Sequence, residues 1–139
     1  MPTPPDDVLL NKAAVIERCI RRLGEESRAC PNYDNFTHID ALTLNVERGC
    51  QAAIDMAMHV VAERHLGVPQ SNAEAFTFLE RAGLIDAALS KSLRGMAGFR
   101  NVAVHQYEEL DMDVLRWVVE SGHRDWICLG QALGVAIIP

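Results

Sequence analysis

The chain has 139 residues, 49% of them hydrophobic and 23% charged, and a formal net charge of −6. That is the size of one ordinary domain with enough apolar material for a core. The acidic balance argues against a broad nucleic-acid-binding face, since gripping many phosphates takes a basic excess, but it leaves room for a small local basic site.

Residues 1–6 are expected to be a flexible tail, and residues 7–139 one domain. Asp6 or Asp7 can cap a first helix whose apolar stripe is Leu9, Ala13, Ile16, Ile20 and Leu23. Pro31 disfavours helix at the residue before it, so this helix should end near Cys30. The run PNYDNF (31–36) is built of turn formers. A second helix is predicted from Thr37 to His65, with the stripe Ile39, Leu42, Val46, Ala53, Ala57 and Val60, stopped by Gly67 and Pro69. Ser71 and Glu74 form a capping box for a short third helix to about Ala82, closed by Gly83. Asp86 caps a fourth helix carrying Leu89, Leu93 and Met96. Asp111 or Asp113 caps a fifth with Leu115, Val118 and Val119, and Gly122 is placed to kink or break it before Trp126–Leu133. No stretch alternates as a strand does. The expectation is an all-α bundle of about five helices.

The segment MPTPPDDVLL lacks the basic run and apolar core of a signal peptide, and no apolar stretch reaches the roughly 18–20 residues that span a membrane. Cys19, Cys30, Cys50 and Cys128 have no Cys-x-x-Cys spacing, so they are expected to be buried or half-buried thiols in a reducing cytoplasm.

The segment FRNVAVHQY (99–107) sets polar residues into an apolar helix. At about 100° per residue from Leu89, the residues Leu93, Met96, Ala97 and Val104 fall on one side, and Arg100 and Tyr107 in the middle of it. A guanidinium there has to be paired or open to a cleft. His105 projects roughly 140° from Arg100, while Asn101 is four residues before it on its own face and can orient the imidazole. Arg100 and His105 can still meet in three ways: the helix loosens near its end, the arginine reaches around, or a second copy of the chain faces the first. The bland alternative is an arginine paired with a carboxylate and a histidine favoured by a helix C-terminus.

Arg100-Asn101-Val102-Ala103-Val104-His105-Gln106-Tyr107 resembles the Arg-x-x-x-x-His-x-Tyr signature of the HepT toxins of the HEPN superfamily. The resemblance extends through residues 47–71 and 93–111 and covers roughly Val8 to Trp126. It implies a homodimeric helical bundle that acts as a metal-independent ribonuclease, with Arg100 and His105 catalytic, Asn101 supporting and no cofactor. It also implies a partner, a minimal nucleotidyltransferase (MNT) antitoxin that transfers AMP onto Tyr107. The substrate would be tRNA or mRNA. The rival is a non-catalytic helical subunit that binds the nucleotidyltransferase.

Other polar residues carry weaker signals. Arg48, Gln51, Asp55 and His59 lie at helical spacing and form either a wall of the cleft, a dimer seam or a solvated face. Asp55 and His59 have the spacing of two metal ligands but lack a strong third, so no metal is expected. Arg18, Arg21 and Arg22 share a face that would touch RNA, meet an acidic partner, or simply be solvated. The acidic run Glu108–Asp111 reads as a helix end and the next cap.

Overall fold

The computed structural model of the chain describes residues 6–105 and 112–139, with side chains up to residue 98 in the first span. Asp6 opens α1 (Asp7–Ala29): its Oδ1 accepts from the amides of Val8 at 2.8 Å and Leu9 at 3.3 Å. The stripe Leu9, Ala13, Ile16, Ile20 and Leu23 is buried, and the helix ends before Cys30 as Pro31 requires. Asn35 starts α2 (Phe36–Glu63) one residue earlier than expected, its side chain accepting from the Thr37 amide at 2.9 Å. His38 meets Glu26 beside the turn, and His59 meets Asp6 at the far end, so α1 and α2 run antiparallel.

The second helix stops at Glu63 rather than His65. His65 takes a left-handed φ of 54°, and the Leu66 amide donates to the Val61 carbonyl at 2.9 Å. This is the closing geometry usually given to glycine, and here the histidine supplies it. Gly67 serves another need: a Cβ there would stand 2.9 Å from the Phe78 ring. Ser71 caps α3 (Asn72–Arg81), accepting from the Glu74 amide at 3.2 Å. Glu74 reaches back to the Gln70 amide at 3.1 Å, one residue before the partner a capping box would use.

Asp86 caps α4 (Ala87–His105) through the Leu89 amide at 2.8 Å. The remaining helices are α5 (Met112–Trp117) and α6 (Arg124–Ala132), joined by a π-helical turn over Val118–Gly122. Among the described residues the bundle therefore has six α-helices, where about five were expected. The division falls at the π turn, where the His123 amide donates to the Val118 carbonyl five residues back at 3.0 Å. Gly122 is needed there because a Cβ would lie 2.7 Å from the Trp117 ring. Asp113 sits inside the first turn of α5, and Asp111 lies outside the described residues, as do residues 1–5. No strand occurs among the described residues.

The core gathers around α2. Cys50, Ala53 and Ile54 meet Phe76 of α3, Leu93, Met96 and Ala97 of α4, and Trp126 of α6. Past α6 the chain folds back over α1: Val135 and Ile137 are buried, and the Ile138 amide donates to Glu17 at 3.0 Å. Cys19, Cys30 and Cys50 are buried as expected, whereas Cys128 is exposed, because it falls on the outer side of α6 away from Trp126 and Leu129. Among the described residues no helix is long and apolar enough to cross a membrane.

Candidate active site

The first half of α4 is tied down on two sides. Leu93, Met96 and Ala97 are buried. The buried Ser90 hydroxyl donates to the Phe76 carbonyl of α3 at 3.5 Å, and the Ser92 hydroxyl donates to the Asp125 carboxylate of α6. The second half continues from this anchored stem and carries Arg100, Asn101 and His105 as helical residues. Their side chains, and the whole of Tyr107 and the acidic run 108–111, lie outside the described residues.

The backbone alone removes one of the three ways Arg100 and His105 could meet. Because α4 stays helical through His105, five regular steps hold the two positions roughly 140° apart. A helix that loosens between them is not available. The reach of the long arginine and the approach of a second chain remain. Asn101 and His105 keep their one-turn separation on a common face.

The polar face of α2 makes i,i+4 contacts, Gln51 with Asp55 and His59 with Glu63, and reaches α1 as well. Asp55 and His59 do not act as a pair. The Asp55 carboxylate takes the Gln51 amide at 2.8 Å and Lys12 of α1 at 3.1 Å. His59 instead meets Asp6 at 2.6 Å and Glu63 at 3.2 Å. Asp6, His59 and Glu63 bring ligand-type atoms within 4.8 Å of one another. Asp6 already spends one oxygen on the α1 cap and the other on the imidazole, so the trio works as a clamp between the start of α1 and the end of α2. The His59 hydrogen bond is the main reason the Asp6 carboxyl is lowered from 3.8 to about 2. Spacing within α2 could not disclose this contact, because Asp6 is 53 residues away in sequence.

The three arginines of α1 also part company. Arg22 is tied to Glu25 and Glu26. Arg21 lines a cavity of about 400 Å³ with Arg28, His123 and Pro139. Arg18 lines a different cleft, between α1 and α2, with Lys12, Arg48, Gln51 and Asp55.

A family model described as Ribonuclease HepT-like matches residues 13–126, which include the whole Arg100–Tyr107 segment and all of α2, α3, α4 and α5. The chain belongs to the HepT-like family. This HepT-like chain is 39% identical over 122 residues to the mRNA nuclease HepT of Shewanella oneidensis, a match spanning 87% of this chain and 92% of that protein. It is 34% identical over 61 residues to the tRNA nuclease HepT of Aphanizomenon flos-aquae, spanning 44% and 42% of the two. A solved toxin–antitoxin structure with AMP-PNP superimposes with a TM-score of 0.86 at 36% identity, covering 93% of this chain and 99% of that one. A tri-AMPylated Shewanella oneidensis HEPN toxin in complex with MNT antitoxin does so with a TM-score of 0.86 at 37% identity, covering 93% and 98%. The HepT-like helical bundle is thus the fold of HEPN toxins.

Proposed function

We propose that the chain is the toxin of a toxin–antitoxin pair, a cytoplasmic endoribonuclease that cuts tRNA or mRNA without a metal and is silenced by AMPylation of Tyr107. The observation that carries this is the intact Arg100, His105 and Tyr107 spacing inside a segment that matches HepT-like ribonucleases. Relatives named as mRNA and tRNA nucleases support the activity, and a tri-AMPylated relative bound to an MNT antitoxin supports the switch.

RNA supplies its own nucleophile. The 2′-hydroxyl attacks the adjacent phosphorus as a base takes its proton, and the bond to the 5′-oxygen breaks as an acid protonates that oxygen. The products are a 2′,3′-cyclic phosphate and a 5′-hydroxyl. An imidazole exchanges protons near neutral pH, so His105 suits either transfer. Arg100 offers its planar fork of donors to the non-bridging oxygens as charge builds on them. One histidine per chain serves one of the two proton transfers, and a homodimer bringing two motifs into one cleft supplies the other. Asn101, one turn from His105, orients the ring.

For the switch, the Tyr107 hydroxyl attacks the α-phosphorus of ATP on the nucleotidyltransferase, pyrophosphate leaves, and a phosphodiester to AMP remains. That adds a negative charge and a nucleotide two residues from His105, where it competes with substrate for Arg100.

Arg100→Ala and His105→Ala are each expected to abolish RNA cleavage and relieve growth arrest with the helical circular dichroism intact, and EDTA is expected not to inhibit the wild type. Full cleavage by His105→Ala would overturn the mechanism. Intact mass spectrometry after incubation with the cognate antitoxin, ATP and Mg²⁺ should find AMP on wild type and none on Tyr107→Phe. A chain that cleaves no RNA and does not arrest growth when expressed without its antitoxin would instead be a non-catalytic binding subunit of the nucleotidyltransferase.

A further inference from the structure

The cleft between α1 and α2 has a volume of about 340 Å³ and holds three cations against one carboxylate, in a chain whose net charge is −6. The carboxylate is already committed. Asp55 accepts from Gln51 through one oxygen and faces Lys12 with the other, so both it and the lysine are occupied at one end of the cleft. Arg18 and Arg48 stand across the rest, one on each helix. Both are exposed, and neither has an ion pair or side-chain hydrogen bond among the described residues. Elsewhere on α1 an arginine with acids in reach takes them, as Arg22 does with Glu25 and Glu26.

Val15 and Ala52 line the same cleft beside the two arginines. Cys19 is buried nearby. Burial pushes its thiol pKa up, and the positive charges of both Arg18 and Arg48 pull it back, in keeping with two arginines that line one cleft.

We propose that Arg18 and Arg48 form a subsite that grips a backbone phosphodiester of the RNA, away from the bond being cut. The two non-bridging oxygens of a phosphodiester point apart, so each can take one guanidinium fork from an opposite wall. A carboxylate from a protein partner presents both oxygens in one plane, which suits one bidentate fork better than two forks on opposite walls. The contact would position the RNA without reading its sequence, and it gives an acidic protein the local attraction that its net charge denies it. The helix that carries Arg48 also packs against the stem of α4, which fixes the subsite relative to the motif. This subsite rests on the ribonuclease reading above.

The test uses the full chain and a fluorescein-labelled 2′-O-methyl oligouridylate, which has no free 2′-hydroxyl to attack. Anisotropy is followed across a salt series. The double variant Arg18→Gln/Arg48→Gln is expected to bind at least about tenfold more weakly at low salt, with the slope of log K against log salt shallower by about 1. Arg22→Gln, whose charge is already paired, should bind as wild type does. Circular dichroism checks that each variant is folded. Unchanged affinity and slope in the double variant would overturn the subsite, while His105-dependent cleavage of RNA by the wild type would leave the ribonuclease reading standing. Unchanged RNA binding with lost capture of the antitoxin would reassign the cleft to a protein partner and also overturn the proposal. A wild type that neither binds the oligonucleotide nor cleaves RNA would remove both readings together.

Discussion

The two oxygens of Asp6 go to different elements: Oδ1 accepts from the first amides of α1, and Oδ2 meets His59 on the last turns of α2. Its carboxyl is held at about 2, against an ordinary 3.8, chiefly by the His59 hydrogen bond. Since the folded value lies below the unfolded one, the stabilisation is complete above about pH 4 and is lost as pH falls from 3.8 towards 2. Asp6→Asn keeps an oxygen for the cap and removes the titration. The gap in melting temperature between wild type and Asp6→Asn should therefore narrow as the pH is lowered across that window. A gap that stays constant would show that the His59 contact contributes nothing to the fold. At this scale the sequence was half legible. Asp6 as a cap follows from its place just before an amphipathic stripe, whereas its bond to His59 depends on how two helices lie against each other. Asp55 and His59 have the spacing of two metal ligands, but Lys12 of α1 and Asp6, the cap of α1, meet them separately, and neither contact is visible from spacing within α2.

Among the elements, α2 and α6 meet at one close point. Trp126 is fully buried, and an added Cβ at Gly49 would stand 2.3 Å from its indole. Gly49→Ala is expected to destabilise the fold by about 1–3 kcal/mol, because the ring has to move in a packed core. The urea midpoint of the variant measures this, and an unchanged midpoint would mean that the indole shifts freely. Helix propensity points the other way: alanine is favoured over glycine in a helix by about 1 kcal/mol, so a loss of stability isolates the packing. The stripes of α1 and α2 were readable because a period of 3.6 marks a buried face whatever covers it. The end of α2 was misplaced by two residues, since a histidine took the left-handed position for which a glycine was the natural candidate. The π turn left no periodic signal. Gly122 marked the place as a break, but the need behind it is room for Trp117, a contact made only in three dimensions.

For the whole molecule, the anchored stem of α4 and the regular helix through His105 leave Arg100 and His105 of one chain on different faces. A homodimer whose cleft draws arginine from one chain and histidine from the other makes a specific prediction. Arg100→Ala and His105→Ala protein, each inactive, should regain part of the cleavage activity when mixed and allowed to exchange subunits. Mixtures as dead as their components would show that each chain uses its own pair. The sequence by itself determined the class of fold, the order of the helices, most of their caps and the motif, because these depend on neighbours within a few residues or on the match of an ordered pattern. Only the tertiary structure decided which charges meet a partner among the described residues. Arg18, Arg21 and Arg22 look alike on one helix face, and what separates them is the company each meets: Glu25 and Glu26 for Arg22, a cavity with His123 for Arg21, and for Arg18 an arginine on the facing helix. Electrostatic roles are set by distances through space, and spacing along one helix does not contain them.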